Sequence, residues 1–438
     1  MISKFKDFIK ISFVQDVSIL GTGKFFSIFL STIGSIVLAR LLHPELYGVY
    51  GLIFSFVGIV GVFMNWGGNS ASLTLLTDAY VKRDKQEIKN ILVYFVQITV
   101  LAICIIGVLS IIFAPSLTEL FYHNSQIGYW ARIVLLASFL TVIYSLLVIT
   151  LQVMRRIKQL TILETFNKFL YILLPIIFVL LGFGLTGIVW GYFVSAFIFL
   201  ILSVFLYSFL SRKDDLMPSL RQIFLSCKDI KFKKYFNFGF LISIHKNLGN
   251  LSSLLPIIFL GIFASVQEIG YFKIALGYVV IPSMLLDPIS RLLAVQLPKS
   301  KANNPQIFKK HFYKTALYSG LISILLVVPF IILASYLINF FYGPEYIPSI
   351  QLIYYLIVLA AISGFGVGLS SFYRTLNKMK IPIVIDSCCM ILMILSIFIL
   401  KEFQTPLMAV VSSLIIVSIL SLFLHFCIIR NIFIQEKL

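Results

Sequence analysis

Charged side chains are scarce in this sequence, and acidic ones are the scarcest. Asp and Glu number 17 and Lys and Arg number 35, so only 12% of the 438 residues are charged. A soluble chain of this length needs more polar residues to cover its surface. This scarcity excludes a soluble protein. The apolar residues, at 60% with a mean hydropathy of +1.03, predict an integral membrane protein.

Cysteine is also rare. The five cysteines lie in or beside apolar runs, and none has metal-ligand spacing with a histidine; they are Cys104, Cys227, Cys388, Cys389 and Cys427. We interpret them as side chains that fill the core. The sequence therefore predicts no metal site and no cofactor.

Long apolar runs are what the sequence has in abundance. They are long enough to cross a bilayer core of about 30 Å as helices. Twelve such runs are found, at about 17–40, 47–67, 90–114, 127–153, 161–181, 187–210, 238–263, 270–297, 315–339, 350–373, 381–400 and 406–429. We predict an all-α integral membrane protein with about 12 transmembrane helices. The polar stretch around His43 and Pro44 predicts a tight turn between the first two.

The distribution of basic residues predicts the orientation. The N-terminus, the C-terminus and the loops after even-numbered spans hold 27 Lys and Arg, whereas the opposite loops hold only Arg40 and Lys401. By the positive-inside rule, both termini are predicted to be cytoplasmic. The net charge of +18 is then explained by contact with anionic membrane lipids, not by binding of nucleic acid. Residues 1–13 are predicted to form a basic amphipathic helix on the membrane surface.

The chain also repeats itself at an offset of 222 residues. The matched pairs are Gly48 with Gly270, Lys24 with Lys246, and Glu164 with Asp386. An offset of six spans predicts two six-helix bundles related by a pseudo-two-fold axis along the membrane normal. The predicted domains are an N-terminal bundle at 1–210, a cytoplasmic linker at 211–236 and a C-terminal bundle at 237–438. Such an arrangement leaves a cleft for alternating access.

Three segments resemble a known family. They are GTGKFFSIFLSTIGSIVLAR (21–40), LARLLHPELYGVYGL (38–52) and LQVMRRIKQLTI (151–162). They resemble the polysaccharide flippases of the multidrug/oligosaccharidyl-lipid/polysaccharide exporter superfamily, across essentially the whole chain. The resemblance implies a protein of the bacterial cytoplasmic (inner) membrane that moves an undecaprenyl-diphosphate-linked O-antigen or capsule repeat unit to the outer leaflet. It implies no enzymatic activity, and it makes other polysaccharide-assembly membrane proteins candidate partners.

Six cations are left inside the predicted spans: Lys24, Arg132, Lys168, Lys246, Lys273 and Arg291. Embedded charges are costly, so each needs a partner or a function. Glu164 with Lys168, and Asp287 with Arg291, have the i,i+4 spacing of an ion pair on one helix face. Arg132 and Lys273 lie near outer helix ends and are predicted to snorkel to the interface.

Lys24 and Lys246 have no acid within four residues on their own helices. We expect them to face each other across the cleft, one from each half, as an anion site for the substrate diphosphate, with Lys168 and Arg291 lining the same cationic cavity. The alternative is that they pair with Glu164 or Asp386 across helices. The acids Glu164, Asp287 and Asp386 are accordingly expected to be charge partners of these cations or residues that couple transport to its driving force.

Prolines interrupt several spans, and Pro282 and Pro288 in the eighth are the candidate hinge of a rocking carrier. The alternative is a static kink.

Three other functions fit the sequence less well. An ion-coupled drug exporter of the same superfamily needs buried carboxylates for cationic cargo, whereas the unpaired deep charges here are lysines. A major-facilitator sugar porter should carry a glycine-containing signature that the loop TDAYVKRDKQEIK lacks. A polysaccharide polymerase or ligase should carry a large outward loop.

Overall fold

The computed structural model describes residues 12–226 and 232–435, apart from the side chains at 12–18, 70, 232–234, 237–239, 241–242, 287, 291, 294–295, 299, 302–303 and 305. Most of the predicted surface helix at 1–13 and Cys227 therefore lie outside the described residues, as do the side chains of Asp287 and Arg291. The i,i+4 pair of these last two stays a prediction.

The described residues form seventeen α-helices and no β-strand. In chain order they are α1 (Ser12–Met64), α2 (Gly68–Val81), α3 (Lys85–Ala102), α4 (Val108–Tyr122), α5 (Ser125–Leu140), α6 (Val142–Val153), α7 (Ile157–Phe178), α8 (Gly184–Lys213), α9 (Leu220–Leu225), α10 (Phe232–Phe263), α11 (Val266–Met284), α12 (Asp287–Asn303), α13 (Pro305–Tyr342), α14 (Pro348–Ser363), α15 (Leu369–Thr375), α16 (Lys380–Leu400) and α17 (Pro406–Gln435). Short π-helical turns join α3 to α4 and α7 to α8.

Nine helical segments in the described part of the chain are long and apolar enough to span a membrane. Two of them, Ile19–Met64 and Ile157–Lys213, contain 46 and 57 residues. At 1.5 Å per residue they would measure about 69 and 86 Å, far more than a bilayer core of about 30 Å. Each is broken once, at His43 in the first and at Gly182 and Gly184 in the second. Each segment therefore supplies two spans, and the predicted all-α membrane architecture is confirmed.

The break in α1 lies where the sequence predicts a turn. His43 has φ 59° and ψ 168°, outside the helical region. The ring of Pro44 disfavours a helical conformation in the residue before it. The His43 ring also lies against a carboxylate, with Nδ1 2.6 Å from Oε2 of Glu345. Local sterics thus interrupt the helix, and a distant side chain contacts the break.

The chain divides into two compact units. Unit 1 contains Met1–Leu42 and Ile53–Asn247, and unit 2 contains His43–Leu52 and Leu248–Leu438. The domain limits expected from sequence, 1–210, 211–236 and 237–438, stay a prediction. The boundary between the two compact units differs from the expected domain limits in two respects. Helix α10 contributes to both units, and Ile223, from the expected linker, is fully buried within unit 1.

A close glycine contact explains why residues 43–52 belong to unit 2. A Cβ at Gly48 would overlap the Val266 carbonyl oxygen, and a Cβ at Gly270 would overlap the Pro44 carbonyl oxygen. Only glycine lets two backbones approach this closely. The two glycines matched by the internal repeat therefore pack against each other.

Each unit has its own aromatic core. Tyr94, Phe95, Phe199 and Tyr207 are buried in unit 1. In unit 2, the rings of Phe308, Phe312, Phe372 and Phe433 pack together with centroids 4.8–6.5 Å apart. Apolar side chains also cover the outer surface, among them Leu325 and Ile332, each 72% exposed. Such a surface suits lipid and not water.

The expectation that cysteines fill the core holds only in part. Cys389 is buried, but Cys104, Cys388 and Cys427 are exposed. A thiol is apolar enough to face lipid, so hydropathy alone does not separate a core position from a lipid-facing one.

Candidate functional site

Four of the embedded charges gather in unit 1. A polar cleft of about 270 Å³ is lined by Asn69 and Leu73 from α2, by Tyr144, Ser145, Val148, Ile149 and Gln152 from α6, by Glu164 from α7 and by Lys246 from α10. On α6 the lining residues recur every three to four positions, which places them on one helical face. We call this space the unit 1 cleft.

Lys24 and Lys168 complete the cluster. The positive charge of Lys24 acts on both Glu164 and Lys168, attracting the first and repelling the second. Gly23 allows this approach, because a Cβ there would overlap Cγ2 of Thr161 on α7. Lys24, Glu164 and Lys246 are exposed and Lys168 is half-buried. Lys24 thus acts on two charged residues of α7, and one of these, Glu164, shares the cleft lining with Lys246.

The structure differs from two sequence-based expectations about this cluster. Within the described residues, Glu164 and Lys168 do not form an i,i+4 ion pair, and the charge acting on Glu164 is that of Lys24. Lys24 and Lys246 also do not come from separate units, because both belong to unit 1. The reason is that α10 contributes its first half, up to Asn247, to unit 1. There Asn247 bonds to Asn65 and to the Val62 carbonyl.

An apolar groove of about 620 Å³ runs between α1 and α7 beside the cluster. It is lined by Ile19, Thr22, Gly23, Phe26, Leu30, Thr161, Ile162, Thr165, Phe166 and Phe169. Lys24 follows Gly23 directly, and Glu164 precedes Thr165. The groove and three of the four charged residues are therefore on the same two helices, whereas Lys246 is on α10.

Arg132 and Lys273 have structural partners. Nε of Arg132 lies 2.6 Å from the Ile111 carbonyl oxygen. That carbonyl has no helical donor, because Pro115 lacks an N–H. Nζ of Lys273 lies 3.6 Å from the ring centroid of Tyr50 and 4.8 Å from that of Tyr47, which is a cation–π arrangement. Neither residue needs to snorkel, because each finds its partner inside the protein.

The candidate hinge prolines flank a helix break. Pro282 lies in the last turn of α11, and Pro288 lies in the first turn of α12. The two helices are separated at Leu285 and Leu286. The break coincides with the positions named from sequence, whereas movement about it stays a prediction.

Unit 2 contains a second polar site, built around Asp386. Asp386 lines a cavity of about 610 Å³ together with His425 and Cys389. Nε2 of His425 lies 3.7 Å from Oδ1 of Asp386, and its Nδ1 lies 3.0 Å from the Tyr373 hydroxyl. Sequence analysis named Asp386 but missed His425 and Tyr373. A histidine inside an apolar span was the available signal for the first of these.

The described helices define an all-α membrane fold. Among the solved structures that share this fold are two that match nearly the whole chain. One is an inward-facing multidrug resistance MATE family transporter of the MOP superfamily, with TM-score 0.74, 15% identity, and coverage of 92% of this chain and 95% of the other. The second is the lipid II flippase MurJ in an inward closed conformation, with TM-score 0.74, 14% identity, and coverage of 94% and 87%.

Residues 37–351 match the family described as "Polysaccharide biosynthesis protein". The match covers well over half of the chain, so the chain belongs to this family. The resemblance stated from the sequence is thereby confirmed. None of the curated proteins matches the chain in a sequence comparison.

Proposed function

We propose that the protein is a flippase that moves an undecaprenyl-diphosphate-linked oligosaccharide repeat unit from the cytoplasmic to the outer leaflet by alternating access. The observation that carries the proposal is that Lys24 acts on both Glu164 and Lys168, while Lys246 lines a cleft with the same Glu164. Membership of a polysaccharide biosynthesis family supports a glycan cargo. The fold shared with a lipid II flippase is compatible with lipid-linked cargo.

The charge balance of the cluster suits a diphosphate. Three ammonium groups and one carboxylate leave an excess of two positive charges. A diphosphate diester carries two negative charges and neutralises that excess. Lysine binds phosphate as a compact point charge with three donors. A cationic drug would meet repulsion here, which disfavours the exporter alternative.

The surroundings of the cluster suit the rest of the cargo. Asn69, Ser145 and Gln152 offer amide and hydroxyl groups for hydrogen bonds to the first sugar. The apolar groove between α1 and α7 offers a place for the start of the polyprenyl chain. Phe25, Phe26 and Phe29, each more than half exposed, extend the apolar surface of α1. A diphosphate between a sugar and a lipid tail would thus meet matching chemistry on both sides.

A binding experiment tests the headgroup assignment. Purified protein in lipid nanodiscs is titrated with undecaprenyl diphosphate and with undecaprenol, which lacks phosphate. We expect undecaprenyl diphosphate to bind tightly and undecaprenol to bind weakly. Lys24→Ala and Lys246→Ala should each lower the affinity for the diphosphate and leave the affinity for the alcohol unchanged. Lys310→Ala removes an exposed lysine of α13 and serves as the matched control. Equal affinity of wild type and both variants for the diphosphate would refute the assignment.

A transport experiment tests the function itself. Proteoliposomes receive a fluorescent diphosphate-linked glycolipid, and its appearance in the opposite leaflet is measured by quenching. We expect the wild type and Lys310→Ala to flip the glycolipid and Lys24→Ala to lose this activity. Export of a lipophilic cation in place of the glycolipid would favour the drug-exporter alternative.

A further inference from the structure

His425 is a titratable residue inside an apolar span, and the proposed diphosphate site does not use it. It lies on α17, within a segment apolar enough to span the membrane, and is only 7% exposed. Ionisable groups in such positions are rare and mark functional sites. Its Nδ1 is within hydrogen-bond distance of the Tyr373 hydroxyl, and its Nε2 lies 3.7 Å from Oδ1 of Asp386, within the distance of an ion pair. The ring of the histidine therefore lies between side chains of two other helices.

The three residues form a path from the cavity to the interior. The Asp386 side chain is 27% exposed and lines the unit 2 cavity. The His425 side chain, behind it, is 8% exposed, and Tyr373 is fully buried. Tyr373 is on α15, Asp386 on α16 and His425 on α17. Asp386 and His425 both line the cavity, and exposure decreases from the carboxylate to the imidazole and then to the tyrosine.

This geometry accommodates a proton without the loss of a contact. In the neutral state, a proton on Nε2 faces the Asp386 carboxylate, and Nδ1 accepts a hydrogen bond from the Tyr373 hydroxyl. When a proton is added, Nδ1–H donates to the Tyr373 oxygen instead, because a hydroxyl both donates and accepts. The Asp386 carboxylate then offsets the new positive charge. The hydrogen bond with Tyr373 reverses direction, and Asp386 stays within the distance of an ion pair.

The other described side chains that line this cavity carry no charge. Cys389 from α16 also lines the cavity, and its side chain bonds to Ser421. The remaining polar groups of the lining are serines, from α10, α14 and α17. The described lining of this cavity contains no Lys or Arg.

We propose that Asp386, His425 and Tyr373 form a proton-binding site in unit 2, and that proton movement through this site drives transport. The ligand is a proton because the residue between Asp386 and Tyr373 is an imidazole, whereas Na⁺ prefers oxygen ligands. Proton binding stands independently of the proposed flippase activity. The coupling step rests on that activity.

Nitrogen NMR of the full-length protein tests proton binding without transport. The protein, with ¹⁵N-labelled histidine, is studied in lipid bilayers, and the His425 signals are assigned by their absence in His425→Gln. We expect the Nε2–H tautomer at high pH and a doubly protonated ring when the pH is lowered. Asp386→Asn should change the pH at which the ring charges, and Tyr373→Phe should alter the balance of tautomers.

Two NMR outcomes would overturn the proton site. One is a His425 ring that stays in a single neutral form from about pH 5 to about pH 8. The other is a titration that is unchanged in Asp386→Asn. His311→Gln, which removes an exposed histidine of α13 bonded to Ser300, is the control and should leave the His425 signals unchanged.

Flipping in proteoliposomes tests the coupling. An imposed pH gradient should accelerate wild-type flipping, and a sodium gradient without a pH gradient should not. His425→Gln and Asp386→Asn should lose the acceleration while still binding undecaprenyl diphosphate. Acceleration by pH that survives in both variants, or acceleration by sodium alone, would refute the coupling. If the wild type does not flip the lipid at all, the proposed function fails, and the NMR result still decides the proton site.

Discussion

The two polar sites of this protein use embedded charge in opposite ways. In unit 1, Lys24, Lys246 and Glu164 are exposed, and among the described residues the two lysines make no hydrogen bond or ion pair. In unit 2, His425 and Tyr373 are buried and bonded to each other, and His425 also faces Asp386. Cations without a protein partner suit a ligand that brings its own charge. A buried and bonded set suits the smallest ligand, a proton.

This comparison depends first on which side of the membrane each loop lies. The expected effect on reporter activity is all-or-none. The unit 1 cleft must open to the side on which the substrate is made. A reporter active only outside the cell should be silent when fused after Lys158 or Lys310 and active after Glu345, because basic loops stay inside. Reporter activity measures this directly, and the reverse pattern would invert the proposed direction of transport.

The next largest effect is expected from the lysines of unit 1. A lysine–phosphate contact contributes about 1.5–3 kcal/mol as a charge-assisted hydrogen bond. Lys24→Ala or Lys246→Ala should therefore weaken diphosphate binding by roughly 10- to 150-fold. Lys→Arg should retain more affinity, because the charge survives. His425→Gln should leave the affinity for the diphosphate unchanged. A comparable loss of affinity in His425→Gln would mean that the two polar sites do not act separately.

A substitution at Glu164 should change the diphosphate affinity less than the lysine substitutions do, and in the opposite direction. Glu164→Gln removes the only acid of the cluster, so diphosphate binding should strengthen severalfold, by about 1 kcal/mol for a nearby like charge in a partly screened site. Titration in nanodiscs measures this change. If the lysines serve only to neutralise Glu164, then Lys24→Ala combined with Glu164→Gln should restore flipping, and that rescue would exclude the anion site.

The last prediction concerns stability and distinguishes a lysine that stabilises the fold from a lysine that binds a ligand. Lys273→Met removes the contacts with the Tyr50 and Tyr47 rings and should destabilise the protein by about 0.5–2 kcal/mol. Lys24→Met should cost no stability, because Lys24 has no comparable partner among the described residues. Thermal unfolding of the two variants in the same detergent measures the difference. Equal destabilisation would mean that Lys24 also has a structural role.

Sequence alone determined the properties that depend on neighbouring residues. Hydropathy predicted the membrane-spanning helices, and Pro44 predicted the break at His43, because lipid exposure and backbone sterics act within a few positions. The cost of burying charge identified Lys24, Lys246, Glu164 and Asp386 as residues that require an explanation. No knowledge of tertiary packing was needed for these inferences.

Only the tertiary structure decided which of these residues meet. Lys246 lines the same cleft as Glu164 because the first half of α10 belongs to unit 1, although the internal repeat predicted that it would act from the other half. The partnership of His425 with Tyr373 joins residues 52 positions apart. Helices in lipid are apolar on every side, so hydrophobic patterning does not specify which faces pack. That choice depends on small residues and polar contacts between distant segments, such as Gly23 against Thr161 and Gly48 against Val266.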